Sequence, residues 1–308
     1  MLIDEVAKLS GVSRSTVSRV VNNDPNVKES TRARVKEVIR KANYRPNTVA
    51  RGLASGRTRI IGLVLPTAQS SLFTDPYYPR LIQGITTGCN ARDYSVMLWL
   101  TNPEQEQTKI HQLVSDSLLD GMVIASYLID DPILEALTKS GLPFLLIGRH
   151  PTRTDLSYLD ADNFQGAREA VVHLLRLGRR RVATITGPNN MIAGIDRREG
   201  YERAFHERGM NPDPALMVEG DFSESGGYTS MMRLIPQNPD AVFVASDTMA
   251  VGALRALRES GKRIPEDVAV VGFDDIPSAA HMDPPLTTVR QSIQGMGQLA
   301  AETLIQIL

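Results

Sequence analysis

The sequence lacks the residues and segments on which several large classes of protein depend. Its 308 residues include a single cysteine, Cys89, which excludes a disulfide framework and a cysteine-rich zinc site. No apolar run approaches the ~20 residues that a membrane-spanning helix needs, and no apolar segment follows a basic stretch at the N-terminus. We therefore expect a soluble, cytoplasmic protein without a membrane partner.

Motifs of catalysis are equally scarce. The chain contains no HExxH, no GxSxG and no cluster of His and Cys, and its five histidines are scattered. The segment GMGQLA at residues 295–300 has the GxGxxA pattern, but no acidic residue follows ~20 positions later, as a dinucleotide site requires. We expect no enzyme, no metal and no cofactor. An enzyme remains the alternative, and assays of sugar turnover would separate the two.

Charge is distributed unevenly along the chain, although the total is only −1. Residues 1–59 hold 13 Lys and Arg against 5 Asp and Glu, a net of +8, and the remaining residues carry a net of −9. A basic head on an acidic body indicates that the head meets a polyanion and the body does not. The basic head and the missing signal peptide exclude a secreted sugar-binding protein.

Three helices are predicted in the head. The first covers IDEVAKLS, Gly11 makes the turn into the second, and the third runs through STRARVKEVIRKA. The first helix is predicted to bury Ile3, Val6, Ala7 and Leu9, and the third to carry Val35, Val38, Ile39 and Ala42 on one face. Two short helices joined by a tight turn with glycine, the second one basic, form a helix-turn-helix.

The second helix has an unusual exposed face. Ser13 is a good N-cap, and Val17, Val20 and Val21 form one apolar stripe. The opposite face carries short polar side chains and two guanidinium groups, without a carboxylate: Arg14, Ser15, Ser18, Arg19 and Asn22. An ordinary solvated helix, the alternative, would mix Glu and Lys there. Such a face permits close approach to a negatively charged partner. In a DNA major groove, an arginine could bind guanine and the hydroxyls could bind phosphates.

The segment YRPNTVARGLASGRTR follows the third helix and is predicted to be a linker. Pro46 suits a helix start, but Gly52 and the β-branched Thr48 and Val49 weaken the interior. A helix this short does not form alone in water. We expect it to become helical only when something packs against it.

From Ile60 onwards, short apolar strands alternate with longer helices. This pattern predicts parallel sheets covered on both faces, and the number of units predicts two such domains. The predicted strands are RIIGLVLP, SVMLWLT, DGMVIAS, LPFLLIG, RRVATITG, ALMVEGDF, AVFVAS and VAVVGF. The predicted helices are YYPRLIQGITTGCNARDY, EQEQTKIHQLVSDSLL, DPILEALTKSG, NFQGAREAVVHLLRLG, RREGYERAFHERG, GGYTSMMRLI and TMAVGALRALRESG.

Polar and aromatic residues follow many of these strands, where open parallel sheets bind their ligands. They are Arg149, Asp221, Phe222, Ser246, Asp247, Asp274 and Asp275, and Arg197 is predicted to open a helix nearby. Acids, arginines and rings around one cleft suit a polyhydroxy ligand. The alternative is that the acids merely cap the following helices, and for Asp247 the two interpretations are equally open.

Head, linker and body together resemble the lac repressor family of bacterial transcription regulators over essentially the whole chain. The resemblance is carried by DEVAKLSGVSRSTVSRVVNN, TRARVKEVIRKANYRPNTVARGLASGRTRIIGLVLP, RREGYERAF, VVGFDD and PPLTTVRQ. It implies an α/β fold: a helix-turn-helix head (residues 1–45), a hinge helix and linker (46–59), and a core of two doubly wound parallel-sheet subdomains. The core subdomains, like those of periplasmic sugar-binding proteins, would cover residues 60–161 with 291–308, and 162–290.

The resemblance also implies roles for individual residues. Arg14 and Ser15 match base-reading positions, and the DNA-facing side would further include Thr16, Ser18, Arg19 and Asn22. Asn47, Ala50 and Leu53 match the hinge helix, with Leu53 as a wedge in the minor groove. The effector positions would be Asp75, Tyr77, Tyr78, Arg149, Arg197, Phe222, Ser246, Asp274 and Gln291.

The implied partners are operator DNA, a small effector and a second copy of the chain in a homodimer. We favour a sugar as effector and release of DNA on binding, while co-repression stays open. Two departures from the family pattern matter. Gly148 stands where many sugar-binding members have an acid before the arginine, and the chain stops at Leu308 inside a helix that the family usually follows with a further helix and strand.

Overall fold

The computed structural model describes residues 2–44, 57–65, 69–100 and 118–308. The chain divides into two compact units, a head (Met1–Thr58) and a body (Arg59–Leu308), which are described separately. The predicted hinge helix and the predicted helix EQEQTKIHQLVSDSLL lie outside the described residues.

The head contains the three predicted helices: α1 (Ile3–Ser10), α2 (Arg14–Val21) and α3 (Glu29–Lys41). Gly11 ends α1 in the left-handed conformation, with φ of 61°, which a residue without a Cβ adopts at little cost. The Ser13 hydroxyl accepts a hydrogen bond from the backbone N–H of Thr16, 3.2 Å away, so Ser13 is the predicted N-cap of α2.

The core of the head is small and built mainly from valine. Val6, Val17, Val20 and Val35 are at most 1 % exposed, one or two from each helix. The prediction that Leu9 points inward is wrong, because its side chain is 62 % exposed. The buried face of α1 instead continues to Ser10, which lies one helical turn after Val6 and Ala7.

The body is built on two parallel sheets, as predicted, and each has five strands. The first sheet has the order β2-β1-β3-β4-β5 and the second β10-β9-β8-β6-β7. The strands of the first are β1 (Ile60–Leu65), β2 (Ser95–Leu100), β3 (Gly121–Ala125), β4 (Phe144–Ile147) and β5 (Tyr158–Leu159). Those of the second are β6 (Val182–Thr186), β7 (Met217–Glu219), β8 (Ala241–Val244), β9 (Ala269–Asp274) and β10 (Thr287–Arg290).

Helices cover both sheets and complete two lobes. Lobe A comprises β1–β5 with α4 (Gln69–Thr74), α5 (Tyr77–Asn90), α6 (Pro132–Ser140) and α11 (Ile293–Ile307). Lobe B comprises β6–β10 with α7 (Asn163–Arg176), α8 (Ile192–His206), α9 (Glu224–Leu234) and α10 (Asp247–Glu259). Within the described ranges, short 3₁₀ helices also occur at Pro214–Leu216, Ile235–Gln237 and Ala279–His281.

Each sheet carries an apolar core on either face, which explains the nearly continuous apolar strands. The core of lobe A includes a helix from the far end of the sequence, because Ile293 and Leu304 of α11 pack with Ile61 and Leu63 of β1. The chain therefore builds most of lobe A, then lobe B, and returns to lobe A. The exact subdomain boundaries given above stay a prediction.

Neighbouring helices approach each other closely through glycine. A Cβ on Gly84 of α5 would lie 2.0 Å from the carbonyl oxygen of Gln294 near the start of α11. A Cβ on Gly252 of α10 would lie 1.9 Å from the carbonyl oxygen of Glu224 in α9. Only glycine permits these separations, so the two helix pairs are locked at short range.

The predicted strands and helices that fall in the described ranges are present, with shifted ends in several cases. The largest shift concerns α8, which begins at Ile192, so the prediction that Arg197 opens this helix is wrong. The helix starts five residues before Arg197, with Met191 as its N-cap, and Arg197 lies in its second turn. The patterns did not predict β5 and β10. Across the ranges that the structure describes, helices long and apolar enough for a membrane span are absent.

Candidate functional site

A cleft of about 720 Å³, partly open to solvent, lies between lobes A and B at the carboxyl ends of their strands. Eight of the nine predicted effector residues line it: Asp75, Tyr77, Tyr78, Arg197, Phe222, Ser246, Asp274 and Gln291. The ninth, Arg149, is not among the lining residues. The structure therefore brings together side chains that are separated by more than 200 positions in the sequence, as strand-end placement in parallel sheets leads one to expect.

Arg197 is held rigidly at the wall of the cleft and is only 4 % exposed. Its Nε donates to Oδ1 of Asn163 at 2.9 Å, and its Nη1 donates to the carbonyl oxygen of Ala245 at 2.5 Å. The guanidinium also stacks on the ring of Phe273, with Cζ 3.8 Å from the ring centroid. These contacts fix the plane of the guanidinium, so its remaining N–H groups are preorganised for a hydrogen-bonding ligand.

Asp274 faces Arg197 from the end of β9. Its Oδ1 lies 3.5 Å from Arg197 Nη2 and accepts a hydrogen bond from Gln291 Nε2 at 2.7 Å. Burial raises the pKa of this carboxyl to about 7 against the opposing effect of Arg197, and the nearby Asp247 and Asp75 add smaller contributions to the rise. The carboxyl can therefore accept or donate to a ligand hydroxyl near neutral pH.

The backbone at several strand ends adopts the left-handed conformation, which is unfavourable for residues with a side chain. Ser126, Phe222 and Asp274 line the cleft with φ of 58°, 64° and 118°. Such conformations cost about 1–3 kcal/mol each and concentrate at functional sites. Here they turn side chains at the ends of β3, β7 and β9 towards one cavity.

Aromatic rings contribute apolar surface to the cleft. Tyr77 and Tyr78 contact each other edge to face, with ring centroids 5.4 Å apart, and Phe222 lies 5.9 Å from the Arg197 guanidinium carbon. Burial raises the pKa of the Tyr77 hydroxyl above its usual value, so this hydroxyl stays protonated. Rings of this kind suit the C–H face of a sugar ring, while the polar groups suit its hydroxyls.

Ser246 and Asp247 resolve the alternative interpretations of the strand-end acids. The Ser246 hydroxyl accepts from the N–H of Met249, so Ser246 caps α10 and also lines the cleft. Asp247 is fully buried, accepts from the Thr288 hydroxyl at 2.6 Å and from the N–H of Ile276 at 3.0 Å, and does not line the cleft. The Asp247 carboxylate therefore ties the start of α10 to Ile276, which follows β9, and to Thr288 in β10.

Arg149 lies beside the cleft and is paired with two acids. Its Nη1 and Nη2 both donate to the Asp196 carboxylate, Nη2 at 2.7 Å, and Nη1 also donates to Asp160 Oδ2 at 3.1 Å. The two remaining strand-end acids, Asp221 and Asp275, do not line the cleft. Asp221 is exposed and accepts from the N–H of Ser223 just before α9, and Asp275 accepts from Arg290 Nε at 2.6 Å.

Sequence reasoning missed several lining residues. Ser126 and Tyr127 follow β3 and could have been found by the strand-end rule that found the others. Asp160 and Asn163 follow β5, a strand of two residues that no pattern distinguishes from a loop. Ile192 lines the cleft because α8 begins earlier than predicted.

The exposed face of α2 is the second candidate site. Arg14, Ser15, Arg19 and Asn22 are exposed, Thr16 and Ser18 are partly exposed, and the Ser13 hydroxyl lies within hydrogen-bond distance of those of Ser15 and Thr16. Arg14 Nε is 3.9 Å from the Asp4 carboxylate, an exposed contact that is weak in water. The predicted hinge contacts Asn47, Ala50 and Leu53 lie outside the described residues.

Among the residues described, no group of three or more His, Cys, Asp and Glu is arranged to hold a metal ion. The cleft itself is lined by carboxyl groups, amides and aromatic rings, which together fit a polyhydroxy compound.

Replacing Asp274 with asparagine is expected to change how stability depends on pH. In the folded chain this carboxyl keeps its proton up to about pH 7, whereas in the unfolded chain it ionises near pH ~3.9. The wild type binds more protons when folded, so its free energy of unfolding falls as pH rises between these values. The asparagine variant should lose this fall. Urea unfolding at a series of pH values measures the difference.

Asp267→Asn is the matched control. Asp267 is partly exposed and paired with Arg263, which lowers its pKa to about 2, so the stability it contributes is lost only as pH falls below ~4. Equal pH profiles for the wild type and Asp274→Asn between pH 4 and 7 would contradict the assignment.

Comparison with known proteins places this architecture among transcription regulators. Residues 2–47 match the family described as bacterial regulatory proteins, lacI family, and residues 171–308 match the periplasmic binding protein-like domain. The HTH-type transcriptional regulator CelR of Thermobifida fusca is 39 % identical over 307 residues, which cover 98 % of this chain and 90 % of CelR. The ribose operon repressor of Escherichia coli K12 is 34 % identical over 305 residues, covering 98 % and 91 %.

Solved structures show the same similarity. A complex of the transcriptional regulator CelR with cellobiose has a TM-score of 0.79 and 37 % identity, and covers 99 % of this chain and 92 % of that one. The lac repressor dimer bound to operator and the anti-inducer ONPF has a TM-score of 0.87 and 29 % identity, covering 100 % and 92 %.

Proposed function

The chain belongs to the lacI family of bacterial regulatory proteins, and on that basis we propose that it is a repressor whose operator affinity is controlled by a sugar. The observation that carries the proposal is the array of Arg197, Asp274 and Gln291 in the cleft of a chain that also carries a helix-turn-helix. A preorganised charged pair and an amide match adjacent hydroxyls of a sugar. Its relatives are regulators rather than enzymes, and one similar solved structure, of the transcriptional regulator CelR, is a complex with cellobiose.

For the DNA, α2 would enter the major groove. Arg14 and Ser15 would contact base edges there, and Thr16, Ser18, Arg19 and Asn22 would contact the duplex around them. Asn47, Ala50 and Leu53 would form the hinge contacts in the minor groove, with Leu53 separating a base step at the centre of a near-palindromic operator, a pyrimidine–purine step such as CG. A homodimer would supply the second half-site, and the protein would act in the cytoplasm, where the DNA is.

Effector and operator would be coupled through the angle between the lobes. The cleft takes side chains from both lobes, so a bound sugar favours one relative orientation. A ligand shifts such an equilibrium only by its differential affinity for the two states, typically about 1–3 kcal/mol. The hinges of a dimer would separate or pair accordingly, and we favour release of the operator on sugar binding.

Selection of bound sites from random DNA, followed by a thermal-shift screen with sugars, nucleobases and phosphorylated metabolites, tests the proposal. We expect near-palindromic sites with a fixed centre and a sugar that weakens binding to them. Direct repeats, or sites without a fixed centre, would count against the dimeric arrangement. A nucleobase or phosphorylated hit without a sugar hit would reject the effector class.

Replacing Arg14 with alanine is expected to relax base choice at one position of each half-site. A guanidinium forked onto a guanine contributes about 1–3 kcal/mol of discrimination, which the variant loses. Arg34→Ala, which removes another exposed arginine of the head, should affect all sequences alike through its general charge. Affinities for single-base variants of the selected site measure both. If Arg14→Ala weakened binding to all sequences equally, Arg14 would contact only phosphate and not a base.

A further inference from the structure

Arg149 occupies a position between the two lobes. It follows β4 of lobe A, and its partner Asp196 lies in α8 of lobe B. Both carboxylate oxygens of Asp196 accept hydrogen bonds from the two terminal nitrogens of Arg149, in a forked arrangement. The Asp196 side chain is 3 % exposed and the Arg149 side chain 39 %, so solvent reaches the pair from the arginine side only and screens it in part.

The same guanidinium connects to the cleft through lobe A. Arg149 Nη1 donates to Asp160 Oδ2, and Asp160 Oδ1 accepts from Asn163 Nδ2 at 3.3 Å. Asn163 Oδ1 in turn accepts from Arg197 Nε at 2.9 Å. A continuous hydrogen-bonded chain thus runs from Asp196 through the crossover between the lobes to the guanidinium at the wall of the cleft.

Other contacts between the lobes are single hydrogen bonds. The Thr248 hydroxyl donates to Asp75 at 3.0 Å, and Arg80 donates to the carbonyl oxygen of Asp275 at 2.9 Å. The backbone N–H of Ile129 donates to the carbonyl oxygen of Asn190 at 2.9 Å. A forked bond between full charges is stronger and more directional than any of these three. The angle between the lobes therefore depends more on the Arg149–Asp196 bridge than on these contacts.

We propose that Arg149 is a positioning residue: it fixes the angle between the lobes through Asp196 and holds Arg197 in place through Asp160 and Asn163. It does so without touching the ligand. Loss of the bridge opens the lobes and frees the relay that orients the Arg197 guanidinium. The effect on effector affinity rests on the proposed function, but the effect on the lobe angle is a property of the ligand-free fold and can be measured without any effector.

The test is a distance measurement between spin labels on the two lobes. Cysteines replace Lys139, on α6 of lobe A, and Arg233, on α9 of lobe B, both exposed, in a chain with Cys89→Ala. Labelled chains are diluted with unlabelled protein, so pulsed EPR reports distances within one chain. The comparison covers the otherwise unchanged chain, Arg149→Gln, Asp196→Asn and the double variant, with circular dichroism to verify folding.

Arg168→Gln is the matched control, because Arg168 makes a comparable pair with Glu207, at 2.7 and 2.9 Å, entirely within lobe B. Arg149→Gln and Asp196→Asn are each expected to lengthen the mean distance by more than about 2 Å and to broaden its distribution. The double variant should match the single ones, since all three lose the same bridge. An unchanged distribution for Asp196→Asn, or an equal change for Arg168→Gln, overturns the proposal.

Discussion

Replacing Arg197 with methionine is expected to abolish the effector response and to lower the free energy of unfolding by about 3–5 kcal/mol. The side chain is buried, and its removal takes a donor from Asn163 Oδ1 and from the carbonyl oxygen of Ala245. It also removes the positive partner of the buried Asp274 carboxyl, which keeps only its hydrogen bond from Gln291. Methionine fills most of the volume against Phe273 but supplies no hydrogen bond. Operator affinity without effector should stay close to that of the wild type, because the head is a separate unit.

Two measurements check this expectation. Urea unfolding gives the change in stability, and operator affinity with and without the sugar found by the screen gives the response. Adding Asp274→Asn to Arg197→Met should restore part of the stability, since it removes the buried carboxyl, but not the response. If the Arg197→Met variant still released the operator on sugar addition, Arg197 would not be part of the effector site.

Replacing Val35 with aspartate is expected to unfold the head and to abolish operator binding. Val35 is the buried residue of α3 and has no exposed surface, and the cluster around it is small. A carboxylate placed there has no hydrogen-bond partner, which costs several kcal/mol, and a domain of this size has little stability to lose. The body should keep its fold and its sugar binding.

Ala33→Asp is the control for charge, because Ala33 lies on the same helix but is exposed. It should weaken operator binding moderately through repulsion and leave the head folded. Fluorescence anisotropy with operator DNA and circular dichroism separate the two variants. Binding by Val35→Asp within about tenfold of the wild type, or ~1.4 kcal/mol, would contradict the assignment of this core.

Local patterns were sufficient to predict much of the fold and part of the site. The valine stripe of α2 and the Ser13 cap depend on neighbours within one or two helical turns, and the structure confirms both. The strand-end rule brought Ser246 and Asp274 to one cleft because topology alone places the ends of parallel strands at one edge.

What the sequence did not predict depends on partners far along the chain. The orientation of Arg149 is set by its hydrogen bonds to Asp196, 47 residues later in the chain. The residues around each of the two positions give no indication that they pair. The edge strand β10 is formed by only four residues, recognisable through their pairing with β9. The hydrophobicity of Leu9 predicts an inward side chain, but the helical period places Ser10 on the buried face instead.

The return of the chain to lobe A affects the order in which a ribosome can complete the protein. Lobe B is formed by a continuous stretch, from α7 to β10, and can close as soon as it has emerged. Lobe A cannot, because Ile293 and Leu304 of α11 belong to its core and are synthesised after the whole of lobe B. At about 5–20 residues per second, the apolar face of its sheet waits on the order of ten seconds for that helix. The half that is translated first is therefore the last to fold, and chaperones that bind nascent chains should be found on its strands.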